Sequence, residues 1–214
     1  MDKVRVRLIL LVAVLSVILG GLIGGVAAKY TWSTEITGTV TFSAKLAESI
    51  LLKEHQADKN LDGSYTLDAN TEVSANAYTL LPGLDIPKDP FITVSGKTPI
   101  EAYLFVEVAE SADLDTDVLS YTLDDHWTPL SVSGKNGGNV YVYNSILDGS
   151  SADLTVNILK GQTLTVSQKL KTAKTTNALT FYGFMAETAA AEKGTMTFAE
   201  HAAKVYQTMT ESTP

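Results

Sequence analysis

From Trp32 onward the apolar residues of this chain recur at every second position, and that period confines it to a strand-rich fold. Ile36, Val40 and Phe42 share one parity while Glu35, Thr37, Thr39, Thr41 and Ser43 take the other, the pattern of a half-buried strand rich in threonine. Leu154, Val156 and Ile158 alternate with Thr155 and Asn157. Lys160-Gly161-Gln162 then predicts a reversal, and Leu164 and Val166 resume the alternation, so the segment reads as a hairpin. Ala102–Val108 (AYLFVEV) and Leu179–Met185 (LTFYGFM) are apolar at both parities, as central strands covered on both faces are. Val140–Tyr143 follows the glycine-rich Gly134–Gly138, which reads as a flexible hairpin turn because a strand and not a helix comes after it. Phe91–Val94 is a further strand, since Pro87 and Pro90 stop any helix before it. Short strands parted by turn signals give an all-β sandwich.

The period changes near the C-terminus. Phe198, Ala202, Val205, Tyr206 and Met209 fall at helical spacing, and Thr197 and Glu200 stand three apart as a capping box requires. Residues 198–210 are therefore predicted to form a short amphipathic helix packed on the sandwich. Ala44–His55 fits either a short helix or a strand extension, and the polar run Gln56–Asn76 reads as a long surface excursion.

The N-terminus points to export. Lys3, Arg5 and Arg7 precede Leu8–Ala28, a run without charge that ends in small residues. A basic head, an apolar stretch and a small-residue exit make a secretory signal, with cleavage expected after Ala28. The same run, as a helix, would reach about 31 Å and could span a bilayer as an uncleaved anchor. The chain thus divides into residues 1–28, signal peptide or signal anchor, and residues 29–214, one domain. The membrane enters only through residues 8–28, if they are retained.

The chain contains no cysteine, so disulfides, thiolate metal sites and a cysteine nucleophile are excluded. Loss of residues 1–28 leaves 13 basic against 23 acidic residues, a net charge of −10, which repels phosphate backbones and argues against nucleic-acid binding. His55, His126 and His201 are far apart and outside any H-E-x-x-H helix, and each reads as a surface residue. There is no G-x-S-x-G elbow. Asp58, Asn60, Asp62 and Gly63 match the first half of a calcium loop, D-x-N-x-D-G, but the twelfth position is Ala69 where a bidentate glutamate is expected. An Asx-rich turn explains the same residues. Trp127, after Asp124-Asp125-His126, suits either a buried ring closing the sandwich or a carbohydrate platform.

Tyr78–Val108 reads YTLLPGLDIPKDPFITVSGKTPIEAYLFVEV. Its Pro-Gly, its Ile-Pro-Lys-Asp-Pro and the two strands after them resemble the TasA/camelysin family of secreted bacterial proteins. The likeness extends to Ala109-Glu110-Ser111, Leu119–Leu123, Asp125–Trp127, Leu159-Lys160-Gly161, the leader and Gly38–Ala44, about three quarters of the chain. Physics accounts for part of the motif: Pro87 and Pro90 keep the chain extended and unpaired, and Lys88-Asp89 puts charge at a strand entrance. The resemblance implies a jelly-roll domain, a signal peptidase of the SipW type, and self-association into extracellular fibres or biofilm matrix. It also implies that the mature N-terminal segment of one subunit completes the sheet of the next. Lys29, Tyr30, Trp32 and Ile36 suit that role: the segment has no proline, and its aromatic and apolar residues fall at even spacing. Folding of the same segment into its own sheet is the competing reading. The expectation is a non-catalytic secreted structural protein, at the matrix or cell surface. A membrane-tethered cell-surface binding domain is the alternative, and a metal-dependent peptidase a third.

Overall fold

A computed structural model of the chain describes residues 27–29, 50–94, 100–111, 119–148, 153–168 and 179–211. The charged leader, the strand expected at 36–43 and three of the four assembly residues (Tyr30, Trp32 and Ile36) lie outside the described residues. So does the expected N-terminal helix, except that Ala27 and Ala28 belong to a strand. Among the described residues thirteen strands and one α-helix follow in chain order: β1 (Ala27–Lys29), β2 (Ile50–Lys59), β3 (Tyr65–Val73), β4 (Ala77–Thr79), β5 (Ile86–Pro87), β6 (Phe91–Val94), β7 (Ala102–Glu110), β8 (Leu119–Ser120), β9 (Trp127–Ser133), β10 (Asn139–Tyr143), β11 (Leu154–Asn157), β12 (Thr163–Val166), β13 (Leu179–Glu187) and α1 (Phe198–Glu211). All strand pairs are antiparallel.

The sandwich has two main sheets, ordered β13-β7-β10-β9 and β11-β6-β2-β3. A smaller sheet, β5-β12-β8, continues the second. Two bonds stitch the junction: Ile158 N donates to Pro90 O at 2.8 Å and Lys88 N to Gln162 O at 2.8 Å. The main core lies between the sheets, with Ile50, Leu52 and Ile92 on one side and Leu104, Val106, Leu179 and Phe181 on the other. The opposite face of β7, β10 and β13 (Tyr103, Phe105, Val140, Val142 and Phe184) is covered by Ala202, Val205, Tyr206 and Met209 of α1. A three-layer arrangement results, and it explains why Ala102–Val108 and Leu179–Met185 are apolar at both parities: their sheet is the middle layer. Among the described residues β13 has one strand neighbour, so it is an edge strand buried on both faces rather than a central one.

Two expectations are corrected by this architecture. β11 and β12 do not form a hairpin with each other. Both run along the single segment Ile86–Val94, with Asn157 opposite Phe91 and Thr163 opposite Pro87. Lys160-Gly161-Gln162 is a bulge between them: Gly161 and Gln162 take positive φ (67° and 53°), and the chain absorbs two extra residues without reversing. An insertion of two preserves parity, so Val156, Ile158, Leu164 and Val166 all stay buried. The polar run Gln56–Asn76 is likewise not an excursion. It supplies the end of β2 and all of β3, paired from Glu54–Val73 to Lys59–Tyr65 around a bulge at His55/Gln56. Its polarity reflects an outlying hairpin whose faces are largely wet.

The capping box of α1 forms as spaced. Thr197 N donates to Glu200 Oε2 at 2.8 Å, and Glu200 N donates to Thr197 Oγ1 at 3.3 Å. Among the described residues no helix is long and apolar enough to cross a membrane.

Candidate functional site

Three features cluster around the segment that joins the two parts of the second sheet. The first is a strand edge. β1 lies antiparallel to β4, with Ala27 opposite Thr79, Ala28 opposite Tyr78 and Lys29 opposite Ala77. β4 is held rigidly beneath it. Tyr78 is buried and its hydroxyl donates to Pro87 O at 3.0 Å; the Tyr65 ring meets it edge-on at 5.0 Å, and Thr79 N donates to the Tyr65 hydroxyl at 2.7 Å. Asn76 fixes the approach to β4. Its Oδ1 accepts from Ala57 N at 2.8 Å and its Nδ2 donates to His55 O at 2.7 Å, which satisfies the backbone groups freed by the bulge in β2. The expected cleavage site, Ala28, and Lys29 of the assembly segment therefore both sit in a ladder against β4.

The second feature is a pair of charge contacts across the strands. Lys88 Nζ donates to Glu54 Oε2 with both side chains fully buried. Next to it His55 Nδ1 contacts Asp89 Oδ2 at 2.5 Å, and His55 N donates to Asp89 Oδ1 at 3.1 Å. Alternation along β2 sends Glu54 into the core with Ile50 and Leu52, and His55 to the other face. Burial pushes the Lys88 amine below the ordinary lysine range, against the pull of Glu54. The charge expected at this strand entrance is there, but it is sealed inside: Lys88 is inaccessible and Asp89 only 4% exposed. The stretch is not unpaired either, because Pro87 pairs with Thr163, and Lys88 N and Pro90 O both bond across the junction.

The third feature is a groove of about 670 Å³ at the mouth between the sheets. Tyr121, Tyr141 and Trp127 line it, with Glu110, Asp124 and Asp125 among its polar residues. Tyr121 donates to Glu110 Oε1 at 2.5 Å; burial and that bond raise its phenol above the usual tyrosine range. Trp127 is the buried ring at the end of the sandwich, its Nε1 donating to Asn157 O at 2.8 Å, so its face is not a platform open to solvent. Aromatic faces beside carboxylates suit a ligand with apolar and hydrogen-bonding surfaces.

The calcium-loop residues occupy the β2–β3 turn. Asp58 is in β2, opposite Thr66. Asn60 Nδ2 donates to Ser64 Oγ at 2.9 Å and to Thr66 Oγ1 at 3.0 Å, and Asp62 Oδ1 accepts from Ser64 N at 2.9 Å. The Ser64 hydroxyl, which donates to Asp62 Oδ1 at 2.6 Å, and the Ser64 N–H together hold the Asp62 carboxyl below its ordinary range. Gly63 makes the bend at φ 87°. Among the described residues no group of three or more His, Asp or Glu side chains gathers as a metal site. Of the histidines only His126 is well exposed. His201 is buried, with Nδ1 2.9 Å from the Tyr103 hydroxyl and Nε2 2.9 Å from Ala191 O, and His55 is partly buried against Asp89, so these two are not surface residues.

Sequence reasoning missed Glu54 and Glu107. The available signal was a lone acid inside an apolar run: Glu107 is the only charge in AYLFVEV. The fold these features define is an antiparallel β-sandwich with a helix on its outer face. The chain matches no family model, no curated protein and no solved structure.

Proposed function

We propose that this chain is an exported structural subunit of the TasA/camelysin type, a jelly-roll domain that builds or decorates extracellular fibres by strand addition between copies. The observation that carries the reading is the ladder of β1 against β4. The chain just ahead of the domain lies extended against β4, which pairs with no other strand among the described residues, and the two are joined by main-chain pairing, the bonding that a neighbour's segment would use. Cleavage after Ala28 would take Ala27 and Ala28, the residues opposite Thr79 and Tyr78, out of that ladder. A bare edge is a template for another strand. The residues from Lys29 onward, carrying Tyr30, Trp32 and Ile36, would then serve as the donor for the next subunit.

The test is electron microscopy of the protein beginning at Lys29, beside one lacking residues 29–36. Fibres from the first and none from the second are expected; equal assembly by both would overturn strand donation. A second reading, a tethered surface domain that binds a ligand, draws on the aromatic groove at Tyr121 and Tyr141. Mass analysis of the mature N-terminus separates the two, since a start near Lys29 favours assembly and a retained Met1 favours the tether.

A further inference from the structure

The Glu54–Lys88 contact has features that an ordinary ion pair leaves unexplained. Both side chains are fully buried, and Glu54 Oε1 has no hydrogen-bond partner. A buried carboxylate with one oxygen unsatisfied is expensive, and burying the opposing ammonium adds a second desolvation cost. The Lys88 amine also stands 5.6 Å from the centroid of the buried Tyr78 ring, in a wall that keeps water away. The chain has no cysteine, so any covalent staple across this exported domain must use other chemistry.

We propose that Lys88 and Glu54 form an intramolecular amide crosslink between the segment entering β6 and strand β2. The step balances without any added reactant. The Lys88 ammonium passes one proton to Glu54 Oε2, giving a neutral amine and a neutral acid, the forms a dry interior favours. The amine lone pair attacks Glu54 Cδ, forming the Nζ–Cδ bond. A second amine proton moves to the Oε2 hydroxyl, the Cδ–Oε2 bond breaks, and one water molecule leaves. Oε1 remains as the amide carbonyl and Nζ keeps one hydrogen. Nothing is oxidised or reduced. The depressed proton affinity of Lys88 supplies the nucleophile, as it does for lysines in apolar pockets generally. The product replaces two buried charges with a neutral amide and closes a loop between residues 34 positions apart. It would tie β2 to the junction on which β4, β5 and β6 converge, and it does so whether or not the chain polymerises.

Intact-mass measurement of the purified full chain under denaturing conditions tests the crosslink, with the N-terminus sequenced so that leader removal is counted separately. The expected mass is lower than the sequence mass by one water. The proteolytic map should contain a branched peptide joining Glu54 and Lys88, and Lys88→Ala should restore the full mass. An unshifted wild-type mass overturns the proposal. A water loss that maps to the Asp62-Gly63 turn, where a succinimide would give the same mass, overturns it equally. If Lys88→Ala does not fold, the wild-type peptide map is sufficient: the branched peptide upholds the crosslink and its absence overturns it.

Discussion

Glu107 shows how a single side chain is made tolerable in an apolar layer. Its Oε1 accepts from Asn136 N at 2.8 Å and Gly138 N at 2.9 Å, and its Oε2 from Asn136 Nδ2 and the Tyr206 hydroxyl, each at 3.1 Å. One carboxylate thus ties β7 to the β9–β10 turn and to α1. Hydrogen bonds to a charged group contribute about 1.5–3 kcal/mol each, and leaving their donors unpaired adds to the loss. Glu107→Ala is expected to cost at least ~3 kcal/mol, measured as a lower denaturant midpoint with an unchanged slope. Tyr206→Phe removes one donor and should cost about 1 kcal/mol. The carboxylate also explains a glycine: a Cβ on Gly134 would lie 2.2 Å from Glu107 Oε1, so Gly134→Ala must displace it and should destabilise the turn. Gly134–Gly138 is legible in the sequence as a turn. That Gly134 makes room for a carboxylate on a distant strand is not, because nothing local records the approach.

Among the elements, α1 was the most readable and the β11–β12 pair the least. Helix spacing and a capping box are both local, and both formed in place. The cap makes a pH-dependent prediction. Bonds from Thr197 N and Oγ1 hold the Glu200 carboxyl below its ordinary range. A depressed folded value means that the cap stabilises fully above the ordinary glutamate range and is lost as pH falls through the depressed value. The first turn of α1 should therefore fray in acid, with earlier loss of amide-exchange protection at residues 198–201 than in the helix centre. Glu200→Gln should flatten that profile, and a profile unchanged by the substitution would count against the cap. For β11 and β12 the alternation correctly placed both strands on one buried parity, but alternation names a face and not a partner. The positive φ at Gly161 and Gln162 decides that the chain bulges instead of turning back. Gly161→Ala, forced into that conformation, should cost about 1 kcal/mol in thermal or chemical unfolding.

At the scale of the whole molecule the central question is what covers β4. If strand addition builds the fibre, replacing Trp32 and Ile36 together by Asp in the protein that starts at Lys29 should abolish sedimentable polymer. The melting temperature of the monomer should stay within a few degrees, because those side chains would serve the neighbour. A large drop in monomer stability would instead mean that they fill the subunit's own core. The sequence by itself determined the strand-rich class, the apolar parity of its principal strands, the C-terminal helix and the absence of disulfides, since each follows from short-range periodicity or from composition. Only the tertiary structure decided that the middle sheet is covered by α1 on its outer face, that Ile86–Val94 pairs with two strands in turn, and that Lys88 and Asp89 are buried. Which strand lies beside which, and which charge is sealed from water, depend on contacts between residues distant in the chain, and a local pattern of side chains does not encode them.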